Sequence, residues 1–225
     1  MPSSKILDLK KTILADNDKD ADLLRETLSK SKTFYINIMS SPGSGKTTFL
    51  LNLLPYLKNK FNIGIMEADI DSDVDTEAIR SAGFPAVQLH TGGMCHLDAD
   101  MSRQGISFLE KYCGRLPDIV ILENVGNLVC PAEFDTGAHL NICILAVPEG
   151  DDKPLKYPLI FQKCSAVIIN KTDTQEIFDF NISKAKEGIL MRNKNAEIFP
   201  VSSKNGNGIP AVADYIIKKY AEEIL

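Results

Sequence analysis

Two periods alternate along the chain. Short, nearly continuous apolar runs occur at Phe34 to Met39, Asn62 to Met66, Ala86 to His90, Asp118 to Leu122, Leu140 to Val147, Ser165 to Ile169 and Ile198 to Val201. Runs of that length read as strands buried on both faces. Between them, apolar residues recur at helical spacing. Phe49, Leu50, Leu51, Leu53, Leu54 and Leu57 follow the first run, and Met101, Ile106, Phe108 and Leu109 mark a helix over 97–113. Further helices are expected over residues 182–193 and Ile209 to Leu225. Strands alternating with helices predict an α/β fold with a mostly parallel sheet and helices on both faces. Residues 1–32 are polar, with Ala21, Leu23, Leu24 and Leu28 at helical intervals. The chain thus divides into an N-terminal extension with a helix, 1–32, and one α/β domain, 33–225.

Composition narrows the class. A chain of 225 residues, 44% hydrophobic and 24% charged, has the make-up of an ordered globular protein. A formal charge of −5 speaks against nucleic acid as a partner. The chain has no apolar run of the roughly 18 residues a membrane span requires. Lys5, Asp8, Lys10 and Lys11 interrupt the N-terminus where a signal peptide would need an apolar stretch, so a cytoplasmic location is expected. Five cysteines without regular spacing do not make a disulfide framework; in a reducing compartment a useful one is a metal ligand or a nucleophile.

Candidate chemistry begins at Ser40-Ser-Pro-Gly-Ser-Gly-Lys-Thr47, between the first strand and a helix. Gly43 and Gly45 let the backbone curl so that the amides of Pro42-Gly43-Ser44-Gly45-Lys46-Thr47-Thr48 point at phosphate oxygens, Pro42 itself having no N–H, and the helix N-terminus adds partial positive charge. Lys46 would reach the β and γ phosphates, and the Thr47 hydroxyl would bind Mg²⁺. Ser40 stands where the P-loop pattern has glycine, a departure that leaves the later, cradle-forming amides intact. The second strand runs into Glu67, Asp69, Asp71, Asp73 and Asp75. At the carboxyl end of a strand beside a phosphate site, Asp69 is the favoured Mg²⁺ ligand of this group. Glu123-x-x-Gly126 closes the fourth strand: Glu123 takes the place where many GTPases carry a Mg²⁺-holding Asp, and the Gly126 amide is placed to sense the γ-phosphate. Asn127 stands where some GTPases carry a water-orienting Gln, and its shorter side chain predicts slow hydrolysis.

Asn170-Lys-Thr-Asp173 follows another buried strand. Asp173 can accept from guanine N1–H and its exocyclic amine, Asn170 can bridge base and P-loop, and the stem of Lys171 can cover the ring. Val201-Ser-Ser-Lys204 supplies a Ser203 amide for guanine O6, with Lys204 closing that loop. Together these make GTP and GDP the expected nucleotides. Cys95-His96 with the distant Cys130 offers three donors of mixed softness, suited to Zn²⁺ or Ni²⁺ but one short of four, a shortage that a two-fold dimer would resolve. Cys113, Cys143 and Cys164 read as packing residues.

These motifs resemble the nickel-incorporation GTPases of hydrogenase maturation, the HypB family. The resemblance runs from about Ile13 to the C-terminus and rests on the P-loop, Cys95-His-Leu-Asp-Ala99, Glu123-Asn-Val-Gly-Asn-Leu-Val-Cys-Pro131 and Glu149-Gly-Asp-Asp-Lys-Pro-Leu-Lys-Tyr-Pro158. It implies a P-loop NTPase of SIMIBI-like topology, a GTP-dependent homodimer, and Cys95, His96 and Cys130 as interface metal ligands. It implies also a HypA-type nickel chaperone as partner and the hydrogenase large subunit as client. The N-terminal cysteine-rich motif and His-rich tract of some members do not occur in this sequence, so N-terminal nickel storage is not expected. Lys153 and Lys156 would lie beside the nucleotide face, where a cation can meet the partner's nucleotide. Three other readings stand beside this one: a urease nickel-insertion GTPase, which typically carries Cys-Pro-His; a metal carrier with a structural nucleotide; and a small-molecule kinase.

Overall fold

The computed structural model describes residues 9–69 and 73–225, with side chains from Thr12 onward. Asp71, the leading residues 1–8 and the side chains of Lys10 and Lys11 lie outside the described residues. In chain order the elements are α1 (Leu9–Lys30), β1 (Phe34–Ser40), α2 (Lys46–Leu57), β2 (Ile63–Asp69), α3 (Val74–Ser81), β3 (Ala86–His90), α4 (Ala99–Cys113), β4 (Ile119–Glu123) and α5 (Cys130–Glu133). There follow β5 (Leu140–Ala146), α6 (Lys153–Lys156), α7 (Pro158–Lys163), β6 (Ala166–Asn170), α8 (Ile182–Arg192), β7 (Glu197–Pro200) and α9 (Ile209–Ile224). The seven strands form one parallel sheet in the order β3-β2-β4-β1-β5-β6-β7. The chain steps outward from β1 to β2 and β3, returns to place β4 beside β1, and then builds the other half. Loops after β1 and its two neighbours therefore diverge over one crevice at the carboxyl ends.

Strand alternation explains the two layers. Phe34, Ile36 and Ile38 face α2 and α9 with Ile121, Ile142 and Ile168, in a cluster that contains Phe49, Leu53, Val212 and Ile216. Tyr35 and Met39 face the opposite side, where α4, α7 and α8 cover Val120, Leu122, Cys143, Leu145, Val167 and Ile169. Because both faces are covered, the strands read as continuous apolar runs. Asn37 interrupts the first of them for a reason invisible in the pattern. Its Nδ2 donates to Asn141 Oδ1 at 2.9 Å and its Oδ1 accepts from Asn124 Nδ2 at 3.0 Å, while Asn124 Oδ1 accepts from the Val125 amide at 2.8 Å. This row runs from β5 through β1, buried at Asn37 and Asn124, and ends at the root of the loop after β4.

Several elements end differently from the sequence expectation. β2 extends through Asp69 rather than stopping at Met66, and α4 starts at Ala99 because Asp98 caps it, its Oδ1 accepting from Met101 N–H at 2.8 Å. α3, α5, α6 and α7, of four to eight residues, are too short for a helical period to declare itself.

The N-terminal helix is docked on the domain. Ala21, Leu24 and Leu28 are buried, and Arg25 Nε donates to the Ala138 carbonyl at 3.1 Å. His139 Nδ1 accepts from the Tyr35 amide at 3.0 Å, while Nε2 lies 2.9 Å from Ser29 Oγ, whose own proton goes to the Arg25 carbonyl. The ring is therefore the neutral Nε2–H tautomer, and burial holds its pKa down to about 4.

Candidate nucleotide and metal sites

At the end of β1 the chain turns through Gly43 and Gly45, with φ of 71° and 90°. Gly45 is required twice over: its conformation is left-handed, and an added Cβ would sit 2.9 Å from Asn170 Nδ2. Ser40 is fully buried, and its hydroxyl receives Lys46 Nζ at 3.0 Å and Ser44 Oγ at 2.7 Å. The residue that departs from the glycine pattern thus binds the P-loop lysine. Thr48 is exposed on the first turn of α2, and Ser41 Oγ donates to Glu149 Oε2, whose second oxygen accepts from the Ala146 amide at 2.8 Å. That bond fastens the P-loop to the end of β5.

Below Lys46 and Thr47 lies a pair of carboxylates. Thr47 Oγ1 donates to Glu123 Oε1 at 3.0 Å, and Glu123 is paired in register with Glu67 of β2. Both are buried, at 4% and 3% exposure, and Glu123 Oε2 and Glu67 Oε1 have no hydrogen-bond partner among the described residues. Burial, and then the charge of Glu123, push the Glu67 carboxyl well above the usual range. Glu123 is also raised by burial, against the pull of Glu67's hydrogen bond, Lys46 and Thr47. Orphaned carboxylate oxygens beside a threonine hydroxyl are hard donors fitted to Mg²⁺. Sequence reasoning placed this role on Asp69; Asp69 lies at the strand's end, opposite His90 in register, and Glu67, two residues earlier, points the same way along the pleat. Reading β2 three residues longer would have put Glu67 beside Glu123. Of the other acidic residues, Asp73 precedes α3 and Asp75 lies in its first turn, where its charge raises both glutamates.

Over the other edge of the P-loop stands the Asn170-Lys-Thr-Asp173 segment. Asn170 is fully buried; its Nδ2 donates to the Ser44 carbonyl at 2.9 Å, and its Oδ1 accepts from Ser203 N–H at 3.1 Å and Ser203 Oγ at 2.8 Å. The Ser203 amide, expected at guanine O6, thus points at Asn170. Lys171 takes a left-handed backbone, and its Nζ reaches the Gly43 carbonyl at 2.6 Å, laying its stem across the loop. Asp173 is exposed, one carboxylate oxygen accepting from Ser202 Oγ at 2.6 Å, and Lys204 is exposed beyond it. At the start of α6, Lys153 Nζ lies 5.2 Å from the centre of the Tyr157 ring, and Lys156 pairs with Asp152 at 2.5 Å.

The donors Cys95, His96 and Cys130 come together from two loops, with their ligand atoms all within 4.8 Å of one another. Cys95 and His96 precede α4, and Cys130 begins α5, four residues after Gly126. Cys95 Sγ lies 4.0 Å from His96 Nδ1, and the His96 ring stacks on Phe134 at 3.8 Å and 16°. Burial lowers the His96 pKa, which favours the neutral imidazole a metal needs. Contact with Cys95, then burial, raises the Cys130 thiol. Two thiols and an imidazole at this spacing fit Ni²⁺ or Zn²⁺. Asn127 joins this cluster: its Oδ1 accepts from the Val129 amide at 2.8 Å and its Nδ2 lies 3.5 Å from the Cys95 carbonyl. A water-orienting amide would face the γ-phosphate instead. Gly126 packs on Pro42, where a Cβ would meet the proline backbone at 3.0 Å, so the loop after β4 touches the P-loop directly.

A family model described as the CobW/HypB/UreG nucleotide-binding domain matches residues 34–200. The hydrogenase/urease maturation factor HypB of Helicobacter hepaticus is 40% identical over 221 residues, spanning 98% of this chain and 90% of that protein. The hydrogenase maturation factor HypB of Escherichia coli K12 is 37% identical over 213 residues, 93% and 71% of the two chains. Among solved structures, HypB from Helicobacter pylori in complex with nickel superposes with a TM-score of 0.87 at 40% identity, covering 93% of this chain and 97% of that one. HypB from Archaeoglobus fulgidus gives 0.82 at 34% identity, covering 92% and 99%. A LAO/AO transport system kinase, TM-score 0.56 and 16% identical, shares the fold alone. The P-loop on a parallel sheet, the Asn170-Lys-Thr-Asp173 loop after β6 and the Cys95-His96 and Cys130 segments agree with these matches, and the chain belongs to the HypB family of hydrogenase and urease maturation factors.

Proposed function

We propose that this chain is a GTP-hydrolysing metallochaperone, a homodimer in its GTP form, that delivers nickel to an apo-metalloenzyme. The names of its relatives speak of hydrogenase and of urease maturation; in this reading the client is the large subunit of a [NiFe]-hydrogenase, with urease a second candidate, and a HypA-type chaperone is the nickel donor. The observation that carries the reading is the convergence of Cys95, His96 and Cys130 at the end of the segment that starts from Glu123.

Guanine selectivity would come from Asp173, whose carboxylate faces outward and can accept from two donors that adenine lacks. Asn170 and Lys171 tie that loop to the P-loop, so base and phosphates are read in one frame. Lys46 neutralises charge on the phosphates, and Thr47, Glu123 and Glu67 are the residues that would hold Mg²⁺, with Asp69 next in reach along the same strand. Mg²⁺, when bound, supplies the positive charge that stabilises phosphoryl transfer. Asn127, held toward Cys95, leaves no protein amide from this position to orient water, consistent with slow intrinsic hydrolysis. In a two-fold dimer the two thiols and the imidazole of each chain would meet their mates and complete the coordination.

Gly126 and Cys130 are four residues apart, a span of at most about 14 Å even when extended. A displacement of Gly126 that follows the γ-phosphate has little slack in which to vanish before it reaches Cys130. Nucleotide and nickel should therefore be coupled, and equally in both directions. Titrating Ni²⁺ into the GDP-loaded and GTP-analogue-loaded protein, with Cys130→Ala as control, tests this. Different nickel affinity or stoichiometry in the two states is expected; equal values would leave two independent sites.

A further inference from the structure

Helix α1 touches both segments that carry the metal donors, and one side chain makes the connection. Asn17 is 9% exposed. Its Oδ1 accepts from the Ala99 N–H at 2.9 Å, three residues after His96, and its Nδ2 donates to the Asp135 carbonyl at 3.0 Å, five residues after Cys130. Ala99 is the first residue of α4, where the amides lack intrahelical acceptors; Asp98 takes that of Met101, and Asn17 takes that of Ala99. A primary amide carries its donor and acceptor at a fixed separation on one rigid plane, so both bonds hold only while the two loops keep their spacing.

Neighbouring contacts enlarge the brace. Arg25 Nη2 reaches Asp135 Oδ2 at 2.7 Å, and Asp135 Oδ1 accepts from the Gly137 amide at 2.8 Å, which fixes Asp135 on both sides. Phe134, its predecessor, stacks on the His96 ring. From the domain's own side the loops meet through that stack, through the contact of Cys95 with Cys130, and through the 3.5 Å approach of Asn127 to the Cys95 carbonyl.

We propose that α1 braces the metal site and that Asn17 is its positioning residue, setting the distance between the Cys95-His96 segment and the Cys130 segment before a metal arrives. The inference rests on the reading of these three donors as a metal site. A pre-set spacing spares the ion the ordering of two loops, and residues that orient metal ligands from behind typically carry about ten- to a hundredfold in affinity.

Titration of the full chain with Ni²⁺, followed by the thiolate-to-nickel charge-transfer absorption, is the test. Asn17→Ala is expected to weaken Ni²⁺ binding about tenfold and to change the band. Asn17→Asp keeps the Ala99 bond and opposes the Asp135 carbonyl, so it should act in the same direction if the alanine variant folds poorly. Ser29→Ala removes a bond between α1 and the domain at the far end of the helix, and should bind as the parent does. Parent-like affinity and spectrum in both Asn17 variants would overturn the proposal, and so would an equal loss in Ser29→Ala, which would mean general loosening of α1. Failure of the parent to bind Ni²⁺, or undiminished binding by Cys95→Ala, would instead overturn the metal site itself.

Discussion

At the nucleotide end, Asn170 alone gives one bond to Ser44 and receives two from Ser203, Lys171 closes on Gly43, and Glu149 ties Ser41 to the end of β5. At the metal end, the Cys95 carbonyl meets Asn127 at 3.5 Å, and the firmer bonds run to Asn17 and Arg25 of an added helix. One end is fastened to the strands and loops that carry it; the other is fastened to α1, whose Leu24 and Leu28 pack into the cluster on the Tyr35 face of the sheet. The difference teaches where rigidity comes from. The frame for phosphates and base is set by the sheet and the P-loop themselves, whereas the spacing of the Cys95-His96 and Cys130 segments depends on bonds made by α1.

The largest expected break in that comparison is at Asp173. Its carboxylate is exposed and already oriented by Ser202, so Asp173→Asn should leave the fold intact while weakening GTP binding about a hundredfold, on the order of 3 kcal/mol for two charge-assisted bonds. Relative affinity for xanthosine nucleotides should rise. Unchanged GTP binding, measured by calorimetry, would remove the guanine assignment.

Next comes the carboxylate pair. With a folded pKa raised above the unfolded value, Glu67 binds its proton more tightly in the native state, so stability declines as pH rises from the ordinary glutamate range through the folded pKa. Glu67→Gln keeps the shape and can donate to Glu123. In the absence of nucleotide it should stabilise the protein by on the order of 1 kcal/mol at mildly alkaline pH and flatten the decline. The same change should weaken Mg²⁺-dependent nucleotide binding. Urea titrations at two pH values, with and without Mg²⁺ and GDP, check both halves; a variant less stable than the parent at alkaline pH would contradict the account.

The smallest effect sharpens the role of α1. His139 has a folded pKa of about 4 against 6.5 for the free side chain, so the unfolded chain takes up more protons between those values, and stability is lost as pH falls from 6.5 toward 4. His139→Asn, whose Oδ1 can still accept from Tyr35 N–H, should show a shallower loss. An identical acid profile in the two proteins would assign the dependence to other groups.

Much of this was legible in the sequence, and for identifiable reasons. Strands buried on both faces advertise themselves as apolar runs, and Gly45 and Gly126 stand where backbone must approach backbone or a side chain amide. Cys95, His96 and Cys130 could be grouped by residue type as candidate metal donors, but their approach to within 4.8 Å depends on loops whose course no local pattern encodes. Glu67 was passed over for Asp69 because the strand was taken to end at Met66, so the acidic residues after it read as one loop and nothing marked Glu67 as the one buried beside Glu123. Asn17 was hidden for another reason. Its two partners are backbone atoms, 82 and 118 residues away, and backbone atoms leave no mark in a sequence.

The row of asparagines that runs from β5 through β1 to the residue after β4 also sets a mechanical condition. Each amide in it has its orientation dictated by its neighbour, none of the three titrates, and the last bond clamps the Val125 amide at the root of the loop. Val125 is consequently a fulcrum, and the lever arm that begins there is only five residues long before it reaches Cys130. Were Gly126 to rotate, the motion would be carried toward the Cys130 thiol rather than into the strand, and the amides that hold the pivot carry no titrating group.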